Sequence, residues 1–301
     1  MYHPPFIQPA MPTAILTQQV TDAQLNRYAD LIYDRTGIRI SAQKKTLLSN
    51  RLRRRLKATG IDCFDRYFEH LRKLQADHAE WDAFLQEITT HETFLFRDAN
   101  QWDWFCNIFL TDIQAAARRG ERGKSLRIWS AACSTGDEAY TIATCIADRL
   151  TNHREWKIEI VGTDIGVGAL EHARKAEFAV RAMRLVSDSL RTRFFTRTGD
   201  VWKPQQVLKQ WTSFRQHNLL QPLRGLSFDL IFVKNVLIYF DADSKLPVFR
   251  NVDAALKPGG LLVTGPAEGV ADLTKQYERL QSWLHRKSER QPVNLRKGAS
   301  V

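Results

Sequence analysis

Two adjacent carboxylates follow a loop of small residues near the middle of the chain. The loop spans residues 130–136 after an apolar run, and Asp137 and Glu138 come directly after it. Small side chains let a ligand lie close to the backbone, and Gly136 permits a tight turn into a helix. The amino end of a helix attracts phosphate, so carboxylates there disfavour pyrophosphate and favour a cationic ligand group. The loop has one glycine where a dinucleotide fingerprint needs three, which argues against NAD.

A third carboxylate, Asp164, ends the next apolar run at residues 157–164. At the end of the second strand of a doubly wound sheet, an acidic side chain can accept hydrogen bonds from two ribose hydroxyls. A ribose joined to a cationic amino acid, without phosphate, describes S-adenosylmethionine. The alternative is that Asp137 and Glu138 only begin one helix and Asp164 only precedes the next. Because all three carboxylates follow strand ends within one βαβ unit, we favour the interpretation that they bind a ligand.

The elements that must position these carboxylates predict an α/β fold preceded by helices. From residue 126 onward, strand-like runs alternate with helical patterns, which is typical of a mostly parallel Rossmann-like sheet with helices on both faces. Between Thr21 and Glu87 the pattern is helical, with a capping box at Thr21–Gln24 and stops at Gly37 and Gly60. The predicted strands are 126–132, 157–164, 212–218, 228–235 and 260–265, and the predicted helices of this part are 136–150, 166–176 and 243–256.

These patterns divide the chain into five segments. Residues 178–215 lack the helix–strand alternation, and we interpret them as a small inserted β-subdomain with a turn at 198–200. The predicted segments are a proline-rich flexible leader at 1–18, an all-helical domain at 19–90, an interdomain linker with cofactor-site residues at 91–124, an S-adenosylmethionine-binding sheet domain at 125–290 and a flexible tail at 291–301.

The composition limits the partners and the compartment. Lys and Arg number 44 against 33 Asp and Glu, so the net charge of +11 predicts an acidic partner, either nucleic acid, an anionic membrane surface or an acidic protein. No apolar stretch approaches the ~18 residues of a membrane span, and the first residues do not resemble a secretory signal. The four cysteines form no CxxC pair, which disfavours a metal cluster and suits a reducing cytoplasm.

Six segments of the sequence resemble chemotaxis receptor methyltransferases of the CheR type, in the same order. The resemblance covers about residues 21–286, and its most specific part is the combination of TTHETFLFRD with KNVLIYF. The segments are TTHETFLFRD (89–98), RIWSAACSTGDEAYTIA (127–143), GTDI (162–165), HNLL (217–220), FDLIFVKNVLIYF (228–240) and LKPGGLLVTGPAE (256–268).

The resemblance implies an enzyme that uses S-adenosylmethionine and releases S-adenosylhomocysteine. This family methylates glutamate side chains on the cytoplasmic helical bundle of chemoreceptors, so the implied activity is that of a protein-glutamate O-methyltransferase. It implies that Arg97 and Tyr239 are catalytic and lie closest to the transferred methyl. The implied cofactor-binding residues are His91, Thr93, Arg97, Glu138, Asp164, Asn218, Leu219, Lys234 and Asn235.

The sequence departs from the family pattern at three places. Ala139 replaces a usual proline after the acidic pair, Lys234 replaces a usual arginine, and residues 265–268 (GPAE) replace a usual HSE. None of the three changes Asp164 or the Arg97–Tyr239 pair. Activity is therefore expected, while the choice of receptor stays open.

The expected chemistry requires no general base. A glutamate with a pKa of about 4.3 is already ionised at neutral pH, so the enzyme must supply alignment and exclusion of water. Our hypothesis is that Arg97 holds one carboxylate oxygen and the Tyr239 hydroxyl directs the other. The alternatives are that Tyr239 only packs and that Arg97 only pairs with Asp98 or another surface acid.

A basic face on the second predicted helix is the candidate substrate-binding surface. Lys44, Arg51, Arg54 and Arg55 lie beside an apolar stripe formed by leucines at spacing four. Such a face would attract a glutamate-rich receptor bundle, although a solvated charged face is the simpler interpretation. The insert is short, so no tight binding of a receptor pentapeptide is expected.

Two other functions remain as alternatives. A nucleic-acid methyltransferase would also explain the net charge, but the proline motif expected after the fourth strand is replaced by Lys234-Asn235-Val236. A non-catalytic S-adenosylmethionine-binding signalling module is disfavoured by the retained Arg97 and Tyr239. We therefore expect a cytoplasmic monomer that binds chemoreceptors and neither binds nucleic acid nor inserts into the membrane.

Overall fold

The computed structural model describes residues 17–289. The predictions for residues 1–16 of the leader and for the tail at 291–301 lie outside the described residues. Within residues 17–289, no helix has the length and apolar character needed to span a bilayer.

Four helices form the first domain. They are α1 (Asp22–Thr36), α2 (Lys45–Thr59), α3 (Phe64–Lys73) and α4 (Ala79–Ile88). The predicted capping box at Thr21 and Gln24 is present, and Gly37 ends α1 in the left-handed conformation. A 3₁₀ turn at Ala42–Lys44 precedes α2. The predicted leucine stripe of α2 is confirmed, because Leu48, Leu52 and Leu56 are fully buried in the core of this domain.

The second domain is built on a seven-stranded sheet, which confirms the predicted Rossmann-like fold and adds two short strands to the five predicted ones. Five parallel strands carry two antiparallel strands at one edge, in the order β6–β2–β1–β7–β8–β10–β9. The strands are β1 (Ser125–Ala131), β2 (Lys157–Asp164), β6 (Thr212–Gln216), β7 (Phe228–Val233), β8 (Leu256–Thr264), β9 (Glu278–Arg279) and β10 (Leu284–Arg286). The loops after β1 and β7 leave neighbouring strands in opposite directions, which opens a crevice at the carboxyl edge.

Two apolar layers cover the sheet. Ile128, Leu230 and Phe232 face one layer, whereas Trp129 and Ile231 face the other, as period-two alternation requires. The helices that follow strands in this domain are α7 (Asp137–Arg149), α8 (Val167–Lys175) and α11 (Ala242–Ala255). β8 starts earlier than predicted, at Leu256, because a register shift in its pairing with β7 accommodates the LKPGG segment.

Residues 91–124, expected as an interdomain linker, contain a long helical stretch. It comprises α5 (Ala99–Trp104), a π-helical segment (Phe105–Phe109) and α6 (Leu110–Arg118). The Trp102 ring stacks on Phe232 of β7, with the ring centroids 5.3 Å apart. This part of the segment therefore packs into the sheet domain. Its aromatic residues Trp102 and Phe105 contact Phe232 and pack this helix onto the sheet.

The insert is a three-stranded antiparallel sheet, which confirms the predicted β-subdomain. It contains β3 (Phe178–Ala179), α9 (Asp188–Phe194), β4 (Phe195–Thr198) and β5 (Val201–Pro204). The insert ends before the predicted residue 215. After α10 (Gln206–Trp211), the chain enters β6, which pairs with β2 and so belongs to the main sheet.

The helical domain lies against the carboxyl edge of the sheet. Ile38 and Phe240 form an antiparallel bridge, and the Arg39 amide donates to the Tyr239 carbonyl at 2.9 Å. From α4, the Gln86 side-chain oxygen accepts from the Ala169 amide of α8 at 3.0 Å. The bonds of Ile38 and Arg39 join the connection after α1 to the loop after β7. The crevice at the edge of the sheet therefore becomes a cleft between the two domains.

Candidate active site

The cleft consists of two adjoining cavities at the carboxyl edge of the sheet. The larger cavity encloses about 960 Å³, counting space open to solvent, and lies between the helical domain and the loops after β2, β6 and β7. The smaller encloses about 500 Å³ and lies between residues 90–97 and the loops after β1 and β7. Thr90, Ala132, Ser134 and Asn235 line both, so the two cavities form one continuous cleft.

Asp164 lies at the end of β2, buried in the wall of the larger cavity. Its Oδ2 accepts from the Ser134 amide at 2.8 Å, and its Oδ1 accepts from the Gly166 amide at 2.9 Å. These bonds join the loop after β1 to the loop after β2. The carboxylate position at the end of the second strand is the one predicted for ribose recognition.

His91 lies beside Asp164, with its Nδ1 4.0 Å from Oδ1 of the carboxylate. Its other ring nitrogen lies 2.7 Å from the Thr89 hydroxyl. Burial lowers the pKa of His91, and the neighbouring Asp164 opposes this only in part. The imidazole is therefore neutral at pH 7 and adds no positive charge of its own to the cleft.

Glu138 and Lys234 meet in the smaller cavity. Glu138 accepts from the Ser130 hydroxyl at 2.7 Å, and its carboxylate lies 3.7 Å from the Lys234 ammonium. Lys234 also lies 3.2 Å from the Asp98 carboxylate and donates to the Arg97 carbonyl at 3.2 Å. Burial raises the pKa of Glu138, and Lys234 opposes part of that rise. Two carboxylates thus share one buried ammonium.

The two acidic residues after the loop occupy different environments. Gly136 precedes α7 with a φ of 88°, a conformation that favours glycine, and Asp137 begins the helix. The Asp137 carboxylate is buried and accepts from the Thr135 hydroxyl at 2.6 Å. Glu138 lines the cleft, whereas Asp137 does not.

Asn218 and Leu219, two of the implied cofactor-binding residues, line the larger cavity. The Asn218 amide is already engaged, because its Nδ2 donates to the Arg35 carbonyl at 2.8 Å and its Oδ1 accepts from the Leu220 amide at 3.0 Å. This side chain holds the loop after β6 to α1, so its backbone and Leu219 form the surface presented to a ligand.

The structure places Arg97 and Tyr239 in adjoining parts of the cleft. Arg97 and Thr93 line the smaller cavity, and Tyr239 lines the larger. Arg97 donates to the Glu92 carbonyl at 3.3 Å and, within residues 17–289, forms no ion pair, including with Asp98. The Lys44 ammonium lies 5.3 Å from the Tyr239 ring centroid. The two predicted catalytic side chains thus face one cleft without bonding to each other.

The predicted basic face is divided by the structure. Lys44 and Arg51 line the larger cavity, where the Arg51 guanidinium donates to the Ile88 carbonyl and to the Thr90 hydroxyl. Arg54 is exposed and pairs with Glu87 at 2.6 Å. Arg55 is instead turned into the helical domain, where it binds both Glu80 oxygens at 3.0 and 2.6 Å.

Glu268 is a site residue that the sequence analysis did not single out. It is fully buried, accepts from the Ile238 amide at 3.2 Å and also accepts from the Asn235 amide. A Cβ on Gly265 would lie 2.6 Å from its Oε1, so any larger residue there would displace this carboxylate. Glu268 holds the loop that carries Asn235 and Tyr239. The only available signal was its place in the departing GPAE segment.

The donor set fits S-adenosylmethionine and not a dinucleotide. Asp164 supplies an acceptor where a ribose would lie, and Glu138 supplies negative charge where a cationic group would lie. His217 lines the larger cavity with a buried Nε2 that has no hydrogen-bond partner within residues 17–289. The sheet order and this acidic edge define a class, the S-adenosylmethionine-dependent methyltransferases of Rossmann-like fold.

The particular family is shown by comparison with known proteins. Residues 91–284 match the family described as CheR methyltransferase, SAM binding domain, and residues 23–89 match CheR methyltransferase, all-alpha domain. The chain belongs to the CheR methyltransferase family, which confirms the predicted membership and S-adenosylmethionine as the cofactor.

Relatives support the same assignment. The chain is 35% identical over 281 residues to a chemotaxis protein methyltransferase of Salmonella typhimurium, covering 89% of this chain and 93% of the relative. It is 29% identical over 259 residues to one of Borreliella burgdorferi, covering 85% and 91%. Among solved structures, SAM-bound CalS10, an amino pentose methyltransferase, is 15% identical with a TM-score of 0.31, covering 64% of this chain and 57% of its own.

Proposed function

We propose that this protein transfers methyl groups from S-adenosylmethionine to glutamate side chains on the cytoplasmic helical bundle of chemoreceptors, giving methyl esters. The relatives that cover most of the chain are named chemotaxis protein methyltransferases. The observation that carries the glutamate specificity is Arg97, a cation that lines the smaller cavity and has no carboxylate partner within residues 17–289. An acceptor carboxylate would supply that partner.

The cofactor roles follow from where each side chain lies. Asp164 binds the ribose hydroxyls, and Asn218 and Leu219 flank the adenine in the larger cavity. Glu138 attracts the cationic amino acid part, while Lys234 keeps Glu138 from being an isolated buried charge. His91 lines the larger cavity, Thr93 lines the smaller one, and Asn235 lines both. When bound, the cofactor supplies an electrophilic methyl group.

The acceptor is bound and aligned by this chain's residues. A glutamate is ionised at neutral pH because its ordinary pKa is about 4.3, so no proton has to be removed. Arg97 donates to one carboxylate oxygen, and the Tyr239 hydroxyl directs the other towards the methyl carbon. Phe94 and Trp102 line the smaller cavity and exclude water from the attacking oxygen.

Transfer of a tritiated methyl group to chemoreceptor-containing membranes tests the proposal. We expect base-labile label on the receptor, as a carboxyl ester requires, and none on nucleic acid. Label on nucleic acid, or label stable to base, would refute the proposal. Binding of the cofactor with no transfer to any receptor would favour the non-catalytic signalling module.

The catalytic assignment has its own test. Arg97→Ala and Tyr239→Phe should lower kcat by about 100-fold and 10-fold respectively, because each removes a contact that orients the acceptor. Affinity for S-adenosylhomocysteine should change less than kcat in both variants. Normal turnover in both would show that neither side chain is catalytic.

Lys44 and Arg51 are the proposed substrate contacts on the helical domain, with Arg54 nearby on the exposed side. Arg51→Glu should raise the KM for receptor about tenfold and reduce its dependence on salt, because one attractive charge is lost. Arg55 is also in the proposed set, but its pairing with Glu80 predicts lost stability instead. An unchanged KM in Arg51→Glu would remove this helix from the substrate surface.

The oligomeric state and the binding of a receptor pentapeptide are two further parts of the proposal. We expect a cytoplasmic monomer. We also expect no tight binding of a receptor pentapeptide, because the β4–β5 connection contains only Gly199 and Asp200. Sedimentation and titration with a receptor C-terminal pentapeptide measure the two properties. A stable dimer or micromolar pentapeptide binding would overturn the respective expectation.

A further inference from the structure

An ordered loop of the β-subdomain, residues 180–187, borders the smaller cavity. Met183 and Val186 anchor the loop in the core of the sheet domain. The Leu95 amide donates to the Ala182 carbonyl at 3.1 Å, which ties the loop to the segment that lines the cavity. The loop therefore has a defined position relative to the acceptor site.

Between its anchors, this loop presents two cations and two apolar side chains to solvent. Arg181 and Arg184 are exposed, and Val180 and Leu185 are 58% and 50% exposed. Large apolar side chains with such exposure, placed next to cations, are characteristic of a protein-binding surface.

Arg184 is held against the acceptor site by an aromatic ring. Its guanidinium carbon lies 3.3 Å from the centroid of Phe94, a residue that lines the smaller cavity. The Arg97 guanidinium carbon lies 5.7 Å from the same ring. Stacking fixes the guanidinium plane but leaves its edge donors available for a carboxylate.

The donors of Arg184 are largely unused. One donates to the Arg181 carbonyl at 3.2 Å, and no carboxylate within residues 17–289 pairs with this guanidinium. Arg181 forms an ion pair with Glu92, and both of these side chains are largely exposed. Exchange of that partner for another carboxylate therefore costs little.

We propose that Arg184 and Arg181 form a docking surface for the methyl-accepting helix and bind acidic side chains that flank the acceptor glutamate. This inference rests on the proposed function. Side chains three or four positions apart lie on one face of a helix, about 5–6 Å from each other. A glutamate bound at Arg97 therefore brings its acidic neighbours towards Arg184, while Val180 and Leu185 contact apolar neighbours. Lys44 and Arg51 hold the substrate at the other end of the cleft.

The test measures methyl transfer to membranes that carry one overproduced receptor. Arg184→Glu should raise the KM for receptor about tenfold with little change in kcat, because one charge-assisted contact is lost. Arg184→Lys should have a smaller effect, because lysine keeps the positive charge and loses only the planar fork of the guanidinium. The matched control is Arg286→Glu on β10, where an exposed arginine pairs with Glu278 and lines neither cavity.

Several outcomes overturn the proposal. An unchanged KM in Arg184→Glu, or an equal rise in Arg286→Glu, would exclude a local docking contact. A loss of affinity for S-adenosylhomocysteine in calorimetry would place Arg184 in the cofactor site instead. A receptor in which lysine replaces the flanking acidic residue should restore the KM of Arg184→Glu, and failure to do so would also count against the proposal.

The two proposals fail separately. If the wild-type protein labels receptors and Arg184→Glu has the wild-type KM, only the docking surface is refuted. If the wild-type protein labels no receptor, the proposed function fails, and the docking surface falls with it.

Discussion

Carboxylates in two regions of this molecule experience opposite electrostatic conditions. At the domain junction, Asp241 accepts from Tyr33 at 3.0 Å, from Arg39 at 2.5 Å and from the Ser244 hydroxyl at 2.7 Å. Burial alone raises the pKa of Asp241, but these hydrogen bonds outweigh it and hold the pKa well below its ordinary value. The junction therefore stabilises the ionised carboxylate with donors from both domains.

Three buried carboxylates at the carboxyl edge of the sheet are less fully compensated, and one of them, Glu138, lines the cleft. Burial raises the pKa of Asp137, Glu138 and Glu268, and their hydrogen bonds offset only part of the rise. Glu138 is thus a charge in the cleft that the protein alone does not fully stabilise. A cationic ligand would complete the compensation at Glu138.

The difference indicates which charges serve the fold and which serve the ligand. Asp241 joins the domains and needs no further partner. Glu138 shares the buried Lys234 ammonium with Asp98, so the negative charge of Glu138 is only partly balanced. Substitutions that remove one charge at a time can therefore separate stability from binding.

The largest expected effect is at Asp164. Asp164→Asn removes a carboxylate that would bind the ribose, and its amide nitrogen would face a backbone amide. The Kd for S-adenosylhomocysteine should rise about 100-fold, or roughly 2.7 kcal/mol, the scale of charge-assisted hydrogen bonds. Calorimetry measures this, with Asp229→Asn at the amino end of β7 as the control. Wild-type affinity in Asp164→Asn would remove the ribose assignment.

Glu268→Ala should combine lost stability with lost turnover. Its removal leaves the amides of Asn235 and Ile238 without an acceptor, which should lower the free energy of unfolding by about 2–3 kcal/mol. The loop that carries Tyr239 should also become misplaced, so kcat falls more than in the exposed control Glu278→Ala. Urea unfolding and the methyl-transfer assay measure the two effects. A stable variant with normal kcat would contradict a positioning role.

Asp241→Asn should weaken the junction without changing cofactor affinity. Loss of the charge-assisted bonds should lower the free energy of unfolding by about 1–2 kcal/mol at pH 7. Because its folded pKa is depressed, Asp241 stabilises the fold above its ordinary pKa of about 3.9 and loses this contribution as the pH falls below it. The difference between variant and wild type should therefore shrink between pH 4 and pH 2. A pH-independent difference would show that the charge is not responsible.

Glu138→Gln should have the smallest effect on stability, and with the opposite sign. A raised folded pKa means that the wild-type side chain costs stability as the pH rises above about 4.3, and glutamine removes this cost. The variant should gain stability relative to wild type between pH 4 and pH 7, while its Kd for S-adenosylmethionine rises about tenfold. Urea unfolding at both pH values and calorimetry measure the two changes. A gain in stability without lost affinity would separate Glu138 from the ligand.

Much of the architecture is predictable because its signals are local. The limits of β2, the capping box at Thr21 and the turn at Gly136 follow from residue types and spacing within a few positions. The position of Asp164 at a strand end is equally local. The helix within segment 91–124 is harder to predict from sequence, because a helix interrupted by a π-helical stretch has no simple apolar period.

Side-chain partners distant in sequence were not predictable. Helical spacing places Arg55 beside Arg51, but the pairing with Glu80 turns Arg55 away from the cleft. Glu268 reaches the loop after β7 across about 30 residues of chain, and Arg184 reaches Phe94 across 90. Such contacts depend on how the chain crosses between strands.

The sequence by itself determined the alternation of strands and helices, the acidic edge of the sheet and membership of the CheR methyltransferase family. These depend on periodicity and on motifs whose residues are neighbours along the chain. Only the tertiary structure decided which cations face the cleft, which carboxylates are compensated and which loop borders the acceptor cavity. Charge interactions depend on distance and burial, and both are set by the packing of residues that are far apart in sequence.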